Sequence, residues 1–108
     1  MVEKRKSVRR VLRTPVSVIM ATGQTFAARS YDLAEGGMAV VSAVQLPAAC
    51  GCHLRFGLMI HGQLTQLDVP AQLIYSLSCA EGFKNGLQFV DPGPEVAAAL
   101  RQYCALAG

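Results

Sequence analysis

Two groups of residues in this 108-residue sequence have types and spacing that could do chemistry. The first is basic. Residues 1–13 carry six bases (Lys4, Arg5, Lys6, Arg9, Arg10, Arg13) against one acid, Glu3. The other 95 residues carry four bases and six acids, so the net +3 hides a basic arm on a near-neutral body. Such an arm implies an anionic partner: nucleic acid, a nucleotide or a membrane surface. Its bland alternative is a solvated terminus. The second group is Asp32-Leu33-Ala34-Glu35-Gly36-Gly37, an acid and a glycine pair closing a strand-like run. A third group, Cys50-Gly51-Cys52-His53, holds three metal-ligating types. It lacks a second cysteine pair at zinc-finger spacing, and Cys79 and Cys104 stand alone, so no metal site is expected.

Enzyme chemistry has little to build on. His53 and His61 are the only histidines. No Ser-His-Asp arrangement, P-loop or dinucleotide fingerprint is present. The longest uncharged stretch, Gly36 to Leu54, is too polar to span a membrane, and the N-terminal residues lead into no apolar signal region. A cytoplasmic protein with reduced cysteines is the expectation. With 52% apolar and 16% charged residues the chain is too apolar for disorder.

The elements that must position these groups read as short strands. Val16, Val18 and Met20 alternate with Ser17 and Ile19. Thr22-Gly23-Gln24 turns the chain into Thr25–Leu33. Glu35-Gly36-Gly37 breaks that run before Met38–Val41, and Leu46-Pro47-Ala48-Ala49 is a loop. Leu54–Ile60 and Leu67–Tyr75 alternate around a His61-Gly62 turn, and Pro70 predicts an edge strand or a bulge. Lys84-Asn85-Gly86 precedes a last short strand, Leu87–Val90. Asp91-Pro92-Gly93-Pro94-Glu95 then signals a helix start, with Asp91 or Gly93 as cap. Val96, Leu100, Tyr103 and Ala107 form its apolar stripe over about 94–107. The expected fold is all-β with one helix: a small six-stranded antiparallel β-barrel closed by a C-terminal α-helix. The arm would span residues 1–13 and the domain 14–108. Met20, Met38 and Met59 are expected core fillers.

Arg5-Lys6-Ser7-Val8-Arg9, followed by Asp32-x-Ala34-x-x-Gly37, resembles the PilZ domain family. That family pairs an RxxxR at the domain start with a D/N-x-S-x-x-G at the end of the second strand. Asn85-Gly86-Leu87-Gln88-Phe89 is similar to its late-strand glycine-hydrophobic-x-Phe, and the order of elements matches over essentially the whole chain. The resemblance implies a split-barrel receptor for cyclic di-GMP, with Arg5, Arg9, Arg10, Asp32, Ala34, Gly36 and Gly37 at the ligand. Arg9 and Arg13 also form an RxxxR. Arg5/Arg9 is preferred, because Lys4 supplies the base that the family places before its first Arg.

The implied ligand suits these residue types. Arginine pairs bidentately with phosphate oxygens or the guanine O6/N7 edge, and stacks on bases. Asp32 could accept from guanine N–H groups. Gly37, or failing it Gly36, would supply positive φ or a close approach to the ligand. Ala34 departs from the family serine and removes a hydroxyl. Tyr31 reads as a sheet aromatic, and Arg29 and Arg55 as surface charges. The resemblance implies a non-enzymatic module that changes arm conformation and signals to a partner protein or linked domain. One alternative is a ligand-independent interaction adaptor, favoured by Ala34. The other is a nonspecific nucleic-acid-binding barrel, disfavoured because the strands show no paired aromatics for stacking bases.

Overall fold

The alternation at Val16, Val18 and Met20 makes a strand because one face of it can be buried whole, and all three side chains lie in the core. The same pattern recurs along the chain. The computed structural model describes residues 10–47 and 51–105. The strands are β1 (Arg10–Val11), β2 (Pro15–Met20), β3 (Thr25–Ala34), β4 (Gly37–Ser42), β5 (Gly51–Ile60), β6 (Gln63–Cys79) and β7 (Gly82–Phe89), followed by helix α1 (Pro94–Ala105). All pairings are antiparallel. β2 pairs β3, β3 pairs β4, β4 pairs β7, β7 pairs β6, β6 pairs β5, and β5 returns to β2. Six strands therefore close into a ring, as expected. The seventh is β1, made from the last part of the basic arm. Arg10 and Val11 face Leu33 and Asp32 on the same side of β3 that β2 occupies further along.

Inside the ring Leu33, Met38, Leu54, Leu58, Val69, Leu87 and Phe89 meet, and Leu100, Tyr103 and Cys104 of α1 cover one end. The helix begins as its sequence asks. Gly93 has φ +89° and its carbonyl accepts the Ala97 amide at 2.9 Å, so Gly93 is the cap and Pro94 the first helical residue. Asp91 has positive φ (43°) but does not cap. Val96 packs at the rim of the core, whereas Ala107 lies outside the described residues. His61-Gly62 is a two-residue hairpin turn with both φ positive (52° and 78°), the geometry that matches strand twist.

Three expectations need correction. Met59 is 58% exposed, because it alternates with the inward Leu58 and Ile60 and faces Leu64 across the hairpin on the outer wall. Lys84-Asn85-Gly86 lies within β7 and not before it, because the Asn85 amide is hydrogen-bonded inside the ring. Finally, Pro70 sits in a strand paired on both sides, at the residue where the β7 ladder ends. The Val90 amide donates to the Pro70 carbonyl at 2.9 Å, and the return bond is the one that proline cannot make. The bulge of β6 falls further on, between Leu73 and Tyr75.

Candidate ligand-binding site

Two bulges shape the outer wall beside Asp32. In β3, Ser30 faces Val40 and Asp32 faces Ala39, so Tyr31 is an extra residue. Without it, strict alternation would place Asp32 on the buried face with Ser30. With it, Leu33 takes the inward place, and Asp32 stands on the outer wall, half-buried beside exposed Tyr31. In β6, Leu73 faces Leu87 and Tyr75 faces Gly86, which leaves Ile74 over and turns Tyr75 outward.

The registers align one row across four strands: Asp32, Ala39, Gly86, Tyr75. The Tyr75 ring lies on Gly86, at a place a Cβ would occupy. A parallel row begins with Ala34 and Gly37 and continues through Gln88 to Gln72. Ala34, Gly37, Ala39 and Gly86 thus form a floor of small residues with a carboxylate at one side and an aromatic ring at the other. Three strand spacings separate those ends, about 14 Å. A flat group can come close to backbone there.

On the other side of the row the wall forms a groove of about 720 Å³, lined by Arg13, Arg29, Tyr31, Glu81, Lys84 and other residues of β3 and β4. Lys84 Nζ stands 3.9 Å from the Tyr31 ring centroid, a cation–π contact. Arg13 and Arg29, read from sequence as marginal, therefore share one basic groove with Tyr31 and Lys84.

Asp32, Ala34 and Gly37 lie close together at the β3–β4 turn, as the resemblance implied. Gly37 needs to be glycine for its close approach to β7 and not for positive φ. Its φ is not positive; a Cβ there would collide with the Leu87 carbonyl of β7. Gly36 is exposed at the turn, with open space where a Cβ would go, and its carbonyl accepts from the Phe89 amide at 2.9 Å. Arg5 and Arg9 lie outside the described residues. Arg10 has a partner the sequence did not disclose. Its Nη1 donates to the Tyr103 carbonyl at 3.0 Å, and its guanidinium lies 4.3 Å from the Tyr103 ring centroid. That carbonyl is among the last four of α1, which have no partner within the helix. The last turn of α1 has no base of its own, so Arg10 supplies the cation its C-terminus favours. Glu35, in the turn after Ala34, lies 3.6 Å from Arg101 of α1, an exposed pair of small energetic weight.

Tyr75, Ala39 and Lys84 were missed in the sequence because cross-strand register, and not spacing, brings them to Asp32. Of the Cys-His group, Cys50 lies outside the described residues, and Cys52 and His53 face opposite ways, as neighbours on a strand do. Cys52 is buried and His53 points out to Asp68 at 2.9 Å. Among the described residues no three His, Cys, Asp or Glu side chains gather as a metal site. Cys104 lies under the Arg10 contact, and burial, with a contribution from Glu35, raises its pKa against the lowering effect of Arg10. Of the described cysteines, exposed Cys79 is expected to react with a thiol reagent in the native state, whereas Cys52 and Cys104 react only on unfolding. Mass-spectrometric mapping of the labelled positions checks this.

A closed antiparallel ring, capped by one helix and bearing an Asp-x-Ala-x-x-Gly turn on its wall, is a recognisable class of small β module. The chain belongs to the PilZ family: the family model "PilZ domain" matches residues 3–106. By sequence alone no curated protein matches. Solved structures share the fold. The Bacillus subtilis inhibitor of motility (MotI/DgrA) is 22% identical, with TM-score 0.85 over 98% of this chain and 52% of its own. The chain therefore spans about half that protein's length. The PilZ domain of Escherichia coli YcgR, solved with c-di-GMP, is 18% identical, with TM-score 0.71 over 96% of this chain and 91% of its own. The Borreliella burgdorferi PlzA protein, in complex with c-di-GMP, is 16% identical, with TM-score 0.61 over 94% and 41% of the two chains. Among the described residues no helix is long and apolar enough to cross a membrane.

Proposed function

We propose that this chain is a receptor module for cyclic di-GMP that works without catalysis of its own. The observation that carries this reading is the row from Asp32 to Tyr75 beside the entry of the arm. Val11 faces Asp32, so the chain bearing Arg5 and Arg9 joins the fold next to the carboxylate. Asp32 accepts from guanine N–H groups, the floor of Ala34, Gly37, Ala39 and Gly86 lies under the ligand, and Tyr75 offers a face for stacking. Arg5 and Arg9 pair with phosphates or guanine edges. Two solved relatives of this fold hold c-di-GMP, which supports the same ligand class here. The contacts of Arg10 and Glu35 with α1 offer a route from the site to a partner or a linked domain.

Calorimetric titration with cyclic di-GMP at about 0.15 M salt tests this, where exposed charges are screened beyond about 8 Å. Saturable binding by the wild type, lost in Arg5→Ala/Arg9→Ala, is the expected result. Each charge-assisted hydrogen bond contributes about 1.5–3 kcal/mol, so losing both arginines weakens binding by two orders of magnitude or more. No binding by the wild type would overturn the receptor and leave the ligand-independent adaptor, the reading Ala34 favours. Binding of nucleic acid that falls steeply with salt and ignores loss of Asp32 would identify the third reading.

Restoring the family hydroxyl gives a second test. Ala34 is buried at the edge of the floor, so Ala34→Ser places an O–H beside the ligand. One added hydrogen bond of about 0.5–3 kcal/mol tightens binding roughly threefold to a hundredfold. Unchanged or weaker affinity, in a protein of unchanged stability, would remove that position from the site.

A further inference from the structure

We infer that Ser30 is a positioning residue for the ligand: its hydroxyl fixes the backbone at Leu12 and Thr14 and so holds the basic arm in register beside Asp32. The inference rests on the receptor reading and adds to it a buried residue that acts through the arm. β1 and β2 pair with the same side of β3, but the join between them is irregular. Val11 faces Asp32 and Pro15 faces Arg29, so Leu12, Arg13 and Thr14 stand against only Ser30 and Tyr31. The arm side carries one residue in excess, as in a bulge. On the other side of β3 the ladder to β4 slips at the same place, between Ser30 and Asp32.

An excess residue takes backbone groups out of the ladder, and a buried polar group left unpaired costs stability. Ser30 receives two of these groups. Its Oγ accepts from the Thr14 amide at 2.9 Å and donates to the Leu12 carbonyl. Its own amide donates to the Thr14 carbonyl at 2.9 Å. The Leu12 amide reaches the Tyr31 carbonyl at a longer 3.3 Å. A hydroxyl suits this place because one atom both donates and accepts. Ser30 is 2% exposed, so bulk water does not compete for either bond.

The register of the arm depends on this join. β1 has only two residues, shorter than an ordinary strand, and does not secure its own pairing. Arg10 ties the arm to α1 through a long side chain, which does not fix the backbone against β3. Val11 comes to stand opposite Asp32 because the excess residue is absorbed at Ser30. A slip of one residue would exchange the faces of Arg10 and Val11 and carry the start of the arm away from the carboxylate. An arm held in its register before the ligand arrives has less freedom to lose on binding.

The test is calorimetric titration of cyclic di-GMP into the full chain as wild type, Ser30→Ala, Ser42→Ala and Thr14→Pro. Ser42 is the matched control. It is a buried serine of β4, 1% exposed, whose hydroxyl bonds the Val44 carbonyl and the Asn85 amide, neither of them in the arm. Ser30→Ala is expected to weaken binding about tenfold or more, and Ser42→Ala less than about twofold at a similar loss of stability. Hydrogen exchange should show the Leu12 and Thr14 amides losing protection in Ser30→Ala and not in Ser42→Ala. Thr14→Pro deletes the amide that Ser30 accepts, from outside the ring, and should weaken binding in the same direction with the melting temperature held. It carries the test if Ser30→Ala does not fold. No binding by the wild type overturns the receptor reading and this inference with it. Wild-type binding that Ser30→Ala and Thr14→Pro leave intact, or that Ser42→Ala weakens as much, overturns the inference alone.

Discussion

Asn85→Ala should destabilise the fold by about 3 kcal/mol, lowering the melting temperature by roughly 12–24 °C. Asn85 is wholly buried, and its side chain makes polar contacts with β4, β6 and β7. Nδ2 donates to Ser42 Oγ at 3.0 Å and to the Val40 and Phe83 carbonyls at 3.3 Å. Oδ1 accepts from Ser76 Oγ at 2.8 Å, and Ser42 Oγ passes the chain of bonds on to the Val44 carbonyl at 2.7 Å. Removing the amide strands buried partners on three strands, each costing about 1–3 kcal/mol, and opens a cavity besides. Asn85→Leu refills the volume and leaves the polar groups unpaired, so it should be about as damaging. If leucine restored the stability, packing and not hydrogen bonding would be the role of Asn85. Thermal and urea unfolding of both variants measure the difference.

Gly37→Ala should cost 2 kcal/mol or more, about the size of overpacking in a rigid place, and should take ligand binding with it. The added Cβ would run into the Leu87 carbonyl, with Gln88 Cα close behind at 3.4 Å. Both are backbone of a ladder that fixes Gly37 opposite Gln88, and neither can swing away. Gly86→Ala makes a useful contrast. Its Cβ would meet the Tyr75 ring, a side chain 41% exposed and free to rotate outward. Gly86→Ala should therefore keep most of its stability and lose the aromatic side of the floor, weakening binding without unfolding. Equal stability losses in the two variants, read from chemical denaturation, would contradict this distinction.

The contrast also explains what could be read from the chain and what could not. Val16-Val18-Met20, Leu54–Ile60 and the Val96–Leu100–Tyr103 stripe announced their elements because a single periodicity decides which face is buried. The Asp32-x-Ala34-x-x-Gly37 turn was legible because a short motif carries it, whereas Arg5 and Arg9 lie outside the described residues. Asn85 was placed before the last strand and not inside it, since the partners that make a buried amide acceptable lie 9 and 43 residues away. Tyr75 was missed for the same reason. The extra residues Tyr31 and Ile74 shift the register of β3 and β6, and a one-residue shift moves every later side chain to the other face. Met59 follows the alternation, and its chemistry alone misdirected the expectation.

Arg10 and Tyr103 stand at opposite ends of the described chain, 93 positions apart, yet share a hydrogen bond. The polypeptide therefore enters and leaves the ring at one place. A module with adjoining entry and exit can be spliced into a longer polypeptide with little disturbance to its host. Anything fused before Arg10 and anything fused after α1 would emerge as neighbours, and the guanidinium that holds the two ends together would set the angle between them.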